Sequence, residues 1–123
     1  LRFIDNIFKE NPITIYGDGN QERDFTYIED VCEATFKSSD LIDFNILNIG
    51  NSEPVKLSKV VNIIEKKLNK KAKIINEPKN NLDVFKTHAD VISLEKIIGP
   101  IAHTPLNEGL KIFIDWYKSY YNV

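Results

Sequence analysis

Apolar residues at Leu57, Val60, Val61, Ile64 and Leu68 recur at i, i+3, i+4, i+7 and i+11 behind Pro54, and this spacing predicts the best-defined helix of the chain. Its opposite face is lysine, asparagine and glutamate. A second stripe, formed by Leu106, Leu110, Phe113, Ile114, Tyr117 and Tyr121 with Trp116 beside it, predicts a helix near the C-terminus. Thr104 is placed to accept a bond from its first-turn amides, and Pro105 suits its first position. Shorter helical patterns flank these two. Leu1, Ile4, Ile7 and Phe8 fall at roughly helical spacing and stop at Asn11-Pro12, because the residue before a proline is pushed out of the helical region. A helix from Glu29 puts Ile28, Val31, Cys32, Thr35 and Phe36 on one side, with the carboxylates Glu29 and Asp30 at its positive end. Asp90 can cap a last one, carrying Ile92, Ile97 and Ile98 and ending at Gly99.

Between these helices lie shorter runs that read as strands. Residues 13–16 predict one, closed by Gly17 and Gly19, and residues 25–28 can continue extended beyond the turn. The compact run 44–49, bounded by Gly50-Asn51-Ser52, predicts a buried strand. Residues 72–75 predict a further short strand, followed by a polar, proline-containing loop and an extended segment over 83–90. The expectation is a small α/β domain over residues 1–123, with short strands and four to five helices. There is no internal repeat, and no linker long enough to divide the chain.

At 123 residues, with 42% hydrophobic and 28% charged residues, the composition is that of an ordinary globular domain. A net charge of −2 gives no electrostatic case for nucleic acid or an anionic membrane. Lys66, Lys67, Lys70, Lys71 and Lys73 follow an apolar stripe and are expected to form a solvated helix end. No apolar run reaches the length of a membrane span and no secretory signal opens the chain, so a cytoplasmic setting is expected. The single Cys32 has no disulfide partner and is expected to be a reduced, packed thiol. The absence of methionine points to a fragment or a processed product.

Candidate chemistry is sparse. No glycine-rich dinucleotide loop, Gly-Lys-Ser/Thr phosphate loop or metal-type Cys/His spacing is present, and His88 and His103 stand alone. What stands out is the turn Gly17-Asp18-Gly19, which leads to Arg23 and Asp24. Against 14 lysines the chain has only Arg2 and Arg23. A guanidinium at 23 can grip a phosphate or carboxylate with two parallel hydrogen bonds, or it can pair with Glu22 or Asp24 to brace the loop. The glycines allow a ligand close to the backbone, and Tyr16 can offer a ring or backbone groups to a base. These residues support binding alone.

The order of motifs resembles the extended short-chain dehydrogenase/reductases that act on nucleotide sugars as NAD-dependent epimerases and dehydratases. The matching pieces are Pro-Ile-x-Ile-Tyr-Gly-Asp-Gly-x-Gln-x-Arg-Asp-Phe at 12–25, Tyr27-Ile28-Glu29-Asp30-Val31, and Asn48-Ile49-Gly50-Asn51-Ser52-Glu53-Pro54-Val55. Asp83-Val84 with Thr87 and Ala89-Asp90 follow, and then the helix from Gly109-Leu110 to Trp116-Tyr117. The likeness is greatest to UDP-glucuronate and UDP-glucose 4-epimerases. It covers only the C-terminal, substrate-binding part of such proteins, without the Rossmann half that carries the cofactor loop and the Tyr-x-x-x-Lys pair. By this resemblance Arg23 contacts the diphosphate of a nucleotide sugar, Thr14 and Tyr16 line the nucleobase, and Asp83 reaches the ribose. It implies no catalytic or cofactor-binding residue in this chain, NAD bound by the complete enzyme, and a UDP-sugar and the missing Rossmann half as partners. Self-association through an exposed apolar face is a further expectation. The chain departs from the family pattern at Asn80, Leu82 and Leu94. The alternative is a non-catalytic nucleotide- or protein-binding module derived from the same domain.

Overall fold

The computed structural model describes residues 1–79 and 81–123; Asn80, one of the departures from the family pattern, lies outside the described residues. The elements run α1 (Arg2–Phe8), β1 (Pro12–Tyr16), β2 (Glu22–Asp24), α2 (Ile28–Ser38), β3 (Pro54–Lys56), α3 (Leu57–Leu68), β4 (Lys73–Glu77), α4 (Ile92–Ile98) and α5 (Leu106–Tyr121). The fold is a small α/β arrangement of five helices and short strands, as expected. Two two-stranded sheets form: β1 pairs with β4 in parallel, with Tyr16 opposite Glu77, and β2 pairs antiparallel with β3, with Arg23 opposite Val55.

The main core follows the predicted stripes. Ile4 and Ile7 of α1, Ile13 and Ile15 of β1, Val60, Val61, Ile64 and Leu68 of α3, and Ile114 and Tyr117 of α5 pack into one buried cluster. The alternation in β1 puts Ile13 and Ile15 into this core and leaves Thr14 and Tyr16 on the other face. α3 ends at Asn69, whose left-handed backbone closes the helix by returning its N–H to the last carbonyls. A second, smaller cluster joins Ala34 of α2 to Val91, Leu94 and Ile101, with Leu47 and Ile49 packed against it.

The structure corrects several expectations. Residues 44–49 are not a strand: Leu47 and Ile49 turn inward, but Phe44 and Ile46 are 90% and 82% exposed and no neighbouring strand pairs with the run. A strand needs backbone partners as well as apolar side chains, and among the described residues none is offered. The extended pairing after the turn falls at Glu22–Asp24 rather than over 25–28, because its partner is the unpredicted β3. α2 presents the opposite side to that suggested by its apolar stripe. Asp30 and Ala34 are buried, whereas Ile28 and Phe36 are 64% and 79% exposed and Cys32 is exposed, not packed. The inward side is set by a small residue that lets α4 approach and by a carboxylate that Thr104 fully engages. Thr104 consequently does not cap α5: its N–H and its hydroxyl both donate to the Asp30 carboxylate, at 2.7 and 2.8 Å. In α4 the buried residue is Leu94, while Ile92 and Ile97 are exposed. Asp90 does accept the Ile92 N–H, at 3.0 Å.

Candidate functional site

The C-terminal ends of the parallel strands β1 and β4 lie side by side, and the loops leaving them form the candidate site. Such ends are where ligands settle in open parallel sheets, since the loops there are free to shape a crevice. Gly17 N–H donates to the Glu77 carbonyl at 2.8 Å, and Asn76 Nδ2 donates to the Gly17 carbonyl at 2.8 Å, so the two loops start in contact. Gly17 has φ +90°, a region in which side chains are strained, so the turn leaves β1 at an angle other residues rarely adopt. Loop 17–21 then rests on the N-terminus of α3. The Gly19 and Gln21 carbonyls accept the Ser58 and Leu57 N–H groups at 3.0 Å, using amides that a helix start leaves free. Buried Gln21 closes the turn with a 2.9 Å bond from its Nε2 to the Tyr16 carbonyl.

Beyond this turn β2 carries adjacent residues with different tasks. Asp24 is a hub: its Oδ1 accepts the Asn51 N–H at 3.0 Å, and its Oδ2 accepts the Ser52 and Ala89 N–H groups at 3.1 and 2.9 Å. Thr87 Oγ1 accepts the Asp24 N–H in turn, at 3.0 Å. One carboxylate thereby holds together the turn at 50–52 and the segment at 87–89. Gly50 is required here, because a Cβ at that position would stand 2.2 Å from the Ala89 Cβ and 2.9 Å from Asp24 Oδ2. Nearby, Asn51 Oδ1 is buried with no hydrogen-bond partner among the described residues.

Arg23 is half-buried and reaches into the loop that follows β4. Its Nη1 donates to the Glu22 carbonyl at 2.8 Å and the Phe85 carbonyl at 3.3 Å, and its Nη2 donates to Asp83 Oδ1 at 2.5 Å. The guanidinium therefore does brace a loop, but through Asp83, sixty residues away, rather than through Glu22 or Asp24. The Glu22 carboxylate goes instead to Lys86 at 3.3 Å. Three of the five guanidinium N–H groups are used in this way. Nε–H has no partner among the described residues, and Nη2 makes one bond there of the two its N–H groups allow.

Of the four sequence-predicted site residues, the structure joins Arg23 and Asp83 directly. Thr14 and Tyr16 share the non-core face of β1, and Tyr16 is 54% exposed. No hydrogen bond or ion pair links the side chain of either to Arg23 or Asp83 among the described residues. Gln21, Asp24, Lys79 and Phe85 complete the arrangement, and no pattern along the chain singles out the last two. Lys79 Nζ lies 5.5 Å from the centre of the Phe85 ring.

Other features offer less chemistry. His103 pairs with Glu95 at 3.0 Å and His88 is exposed. Among the described residues, no group of three His, Cys, Asp or Glu side chains is placed to hold a metal ion. No described strand leads through a glycine-rich loop into a helix N-terminus, the arrangement that cradles a dinucleotide pyrophosphate. No helix among the described residues is long and apolar enough to cross a membrane. An apolar groove of about 800 Å³, lined by Leu1, Phe25, Tyr27, Leu106, Phe113 and Trp116 among others, lies apart from Thr14, Tyr16, Arg23 and Asp83.

Residues 1–50 match the NAD dependent epimerase/dehydratase family. Over nearly its whole length the chain is similar to part of several proteins named as UDP-sugar epimerases. It is 36% identical over 119 residues to the UDP-glucuronate 4-epimerase of Thermodesulfobacterium geofontis, covering 96% of this chain and 37% of that protein. It is 43% identical over 118 residues to an uncharacterised protein of Methanocaldococcus jannaschii, covering 95% of this chain and 36% of that one. Among solved structures it superposes on MoeE5 in complex with UDP-glucuronic acid and NAD with a TM-score of 0.90 and 32% identity, over 97% of this chain and 40% of MoeE5. The chain thus spans little more than a third of the length of the curated relatives it matches.

Proposed function

We propose that this chain is the substrate-binding portion of a NAD-dependent UDP-sugar epimerase, holding the nucleotide sugar while the redox chemistry belongs to a cofactor-bearing half outside it. The observation that carries this reading is the state of Arg23. Two backbone carbonyls and Asp83 fix its guanidinium at the mouth of two loops, and its Nε–H has no partner among the described residues and is left for an oxyanion. Arg23 takes the diphosphate through that donor. Asp83, which keeps a second oxygen, takes a ribose hydroxyl, and Thr14 and Tyr16 on the open face of β1 flank the base. The relationship to proteins named as UDP-glucuronate 4-epimerases supports a UDP-sugar as the ligand.

Unpartnered apolar surface supports a missing half. Ile28 and Phe36 on α2, Phe44 and Ile46 in the unpaired run and the groove beside α5 are the kind of surface that another domain covers. The same surface favours a second reading, in which the chain is a binding module that docks another protein. Titration of UDP-glucuronate into the wild-type chain and an Arg23→Ala variant tests the first. Micromolar binding is expected for the wild type and a loss of about 1.5–3 kcal/mol, tenfold or more, for the variant, as for a charge-assisted hydrogen bond. Absence of binding together with a stable dimer in solution would favour the docking module. Epimerisation by the purified chain alone would overturn the division of labour.

A further inference from the structure

The Arg23–Asp83 pair is electrically neutral, whereas a diphosphate carries more than one negative charge. A site built on that pair needs a further cation, and three lysines stand near it. Lys86 is neutralised by Glu22 at 3.3 Å. Lys56 lies at the far end of the turn, 3.4 Å from Asn20 Oδ1. Lys79 alone of the three has neither a carboxylate nor an amide partner among the described residues, and its position is built. Its Cβ stands 3.6 Å from where a Cβ on Gly17 would sit, so the lysine stem runs along the turn at a residue without a side chain. Its ammonium group lies over the Phe85 ring, 5.5 Å from the centroid, and the Phe85 carbonyl is one of the acceptors that fix Arg23. A cation held over an aromatic face keeps its charge and its three donors available to an anion.

We propose that Lys79 is the second phosphate-binding cation of this site, linked to Arg23 through Phe85 and supplying the charge that the neutral Arg23–Asp83 pair lacks. The inference rests on the nucleotide-sugar reading above and adds a residue to it. Calorimetric titration of UDP into the wild-type chain and the Lys79→Gln, Lys79→Arg and Arg23→Ala variants, at low and at high NaCl, tests it. Lys79→Gln is expected to bind UDP about tenfold more weakly, which is about 1.4 kcal/mol, and Lys79→Arg to bind like the wild type. The affinity of Lys79→Gln should also fall less steeply with salt, because one exposed charge has left the site. Wild-type affinity in Lys79→Gln alongside a loss in Arg23→Ala overturns the role of Lys79 and leaves the nucleotide reading standing. Equal weakening in Lys79→Gln and Lys79→Arg, or an unchanged salt slope, also overturns it by reducing the lysine to loop packing. Failure of the wild-type chain to bind UDP overturns both readings together.

Discussion

The two halves of this molecule treat apolar residues in opposite ways. Around α3, the stripes of α1, α3 and α5 and the inward residues of β1 close on one another, and Ile4, Ile7, Ile13, Ile64, Ile114 and Tyr117 are almost completely buried. Around α2 the buried set shrinks to Ala34, Val91, Leu94 and Ile101, while Ile28, Phe36, Phe44 and Ile46 face outward. Both regions have apolar residues at regular spacing. What separates them is whether the complementary surface is carried by this chain. The first region covers its stripes from within the chain except along the groove beside α5, whereas the second leaves most of its large apolar side chains outside.

The largest expected effect is therefore in the first region. Ile64→Ala removes a side chain that is 2% exposed, in the middle of α3, and should destabilise the chain by about 2–5 kcal/mol in urea unfolding, through lost transfer energy and the cavity left behind. A loss below about 1 kcal/mol would mean that this core is as loosely made as the α2 side.

The same contrast explains how much could be read from the residues. The apolar residues of α3 and α5, the β1 strand, the Gly17–Gly19 turn and the family were all legible, because each is specified by residues within one segment or by their order. Burial of Asp30 was not legible: it depends on Thr104, seventy-four residues away. Pairing of β2 with β3 was equally hidden, since Glu22–Asp24 and Pro54–Lys56 are three-residue strands of mixed character with no period to detect. At the site, Arg23 was conspicuous by rarity. Its bond to Asp83 and the Phe85 carbonyl was invisible, because the loop after β4 reaches it only once β1 and β4 are paired. Lys79 was one lysine among 14 until the fold laid it beside Gly17.

A pH experiment sharpens the comparison at intermediate size. Tyr117, buried in the first core, donates its hydroxyl to Asp5 at 2.8 Å. Burial, and then that carboxylate, push its pKa from 10.0 up to about 12. The folded state thus keeps a proton that the unfolded state releases, so stability is intact below pH 10 and falls as pH rises toward 12. The expected loss is about 2–3 kcal/mol, each pKa unit being about 1.4 kcal/mol. Tyr117→Phe should flatten this alkaline limb in unfolding curves measured across that range. Asp5 works in the other direction. Its bonds from Lys9 and then Tyr117 hold its pKa below the ordinary carboxylate value, so its contribution is present above that value and fades as acid protonates it.

The smallest effect is expected at two exposed aromatic rings on the α2 side. Phe36→Ser and Phe44→Ser remove rings that are 79% and 90% exposed. In the isolated chain they should shift unfolding by no more than about 0.5 kcal/mol, as surface substitutions do. Binding of a hydrophobic dye should nevertheless fall, because the rings belong to uncovered surface. The two measurements have to be made together. A substantial loss of stability in either variant would show that the ring already has a cover in solution, such as a second copy of the chain, and sedimentation at two concentrations would then reveal the dimer. No loss of stability with reduced dye binding leaves the α2 side as an open face in the isolated chain.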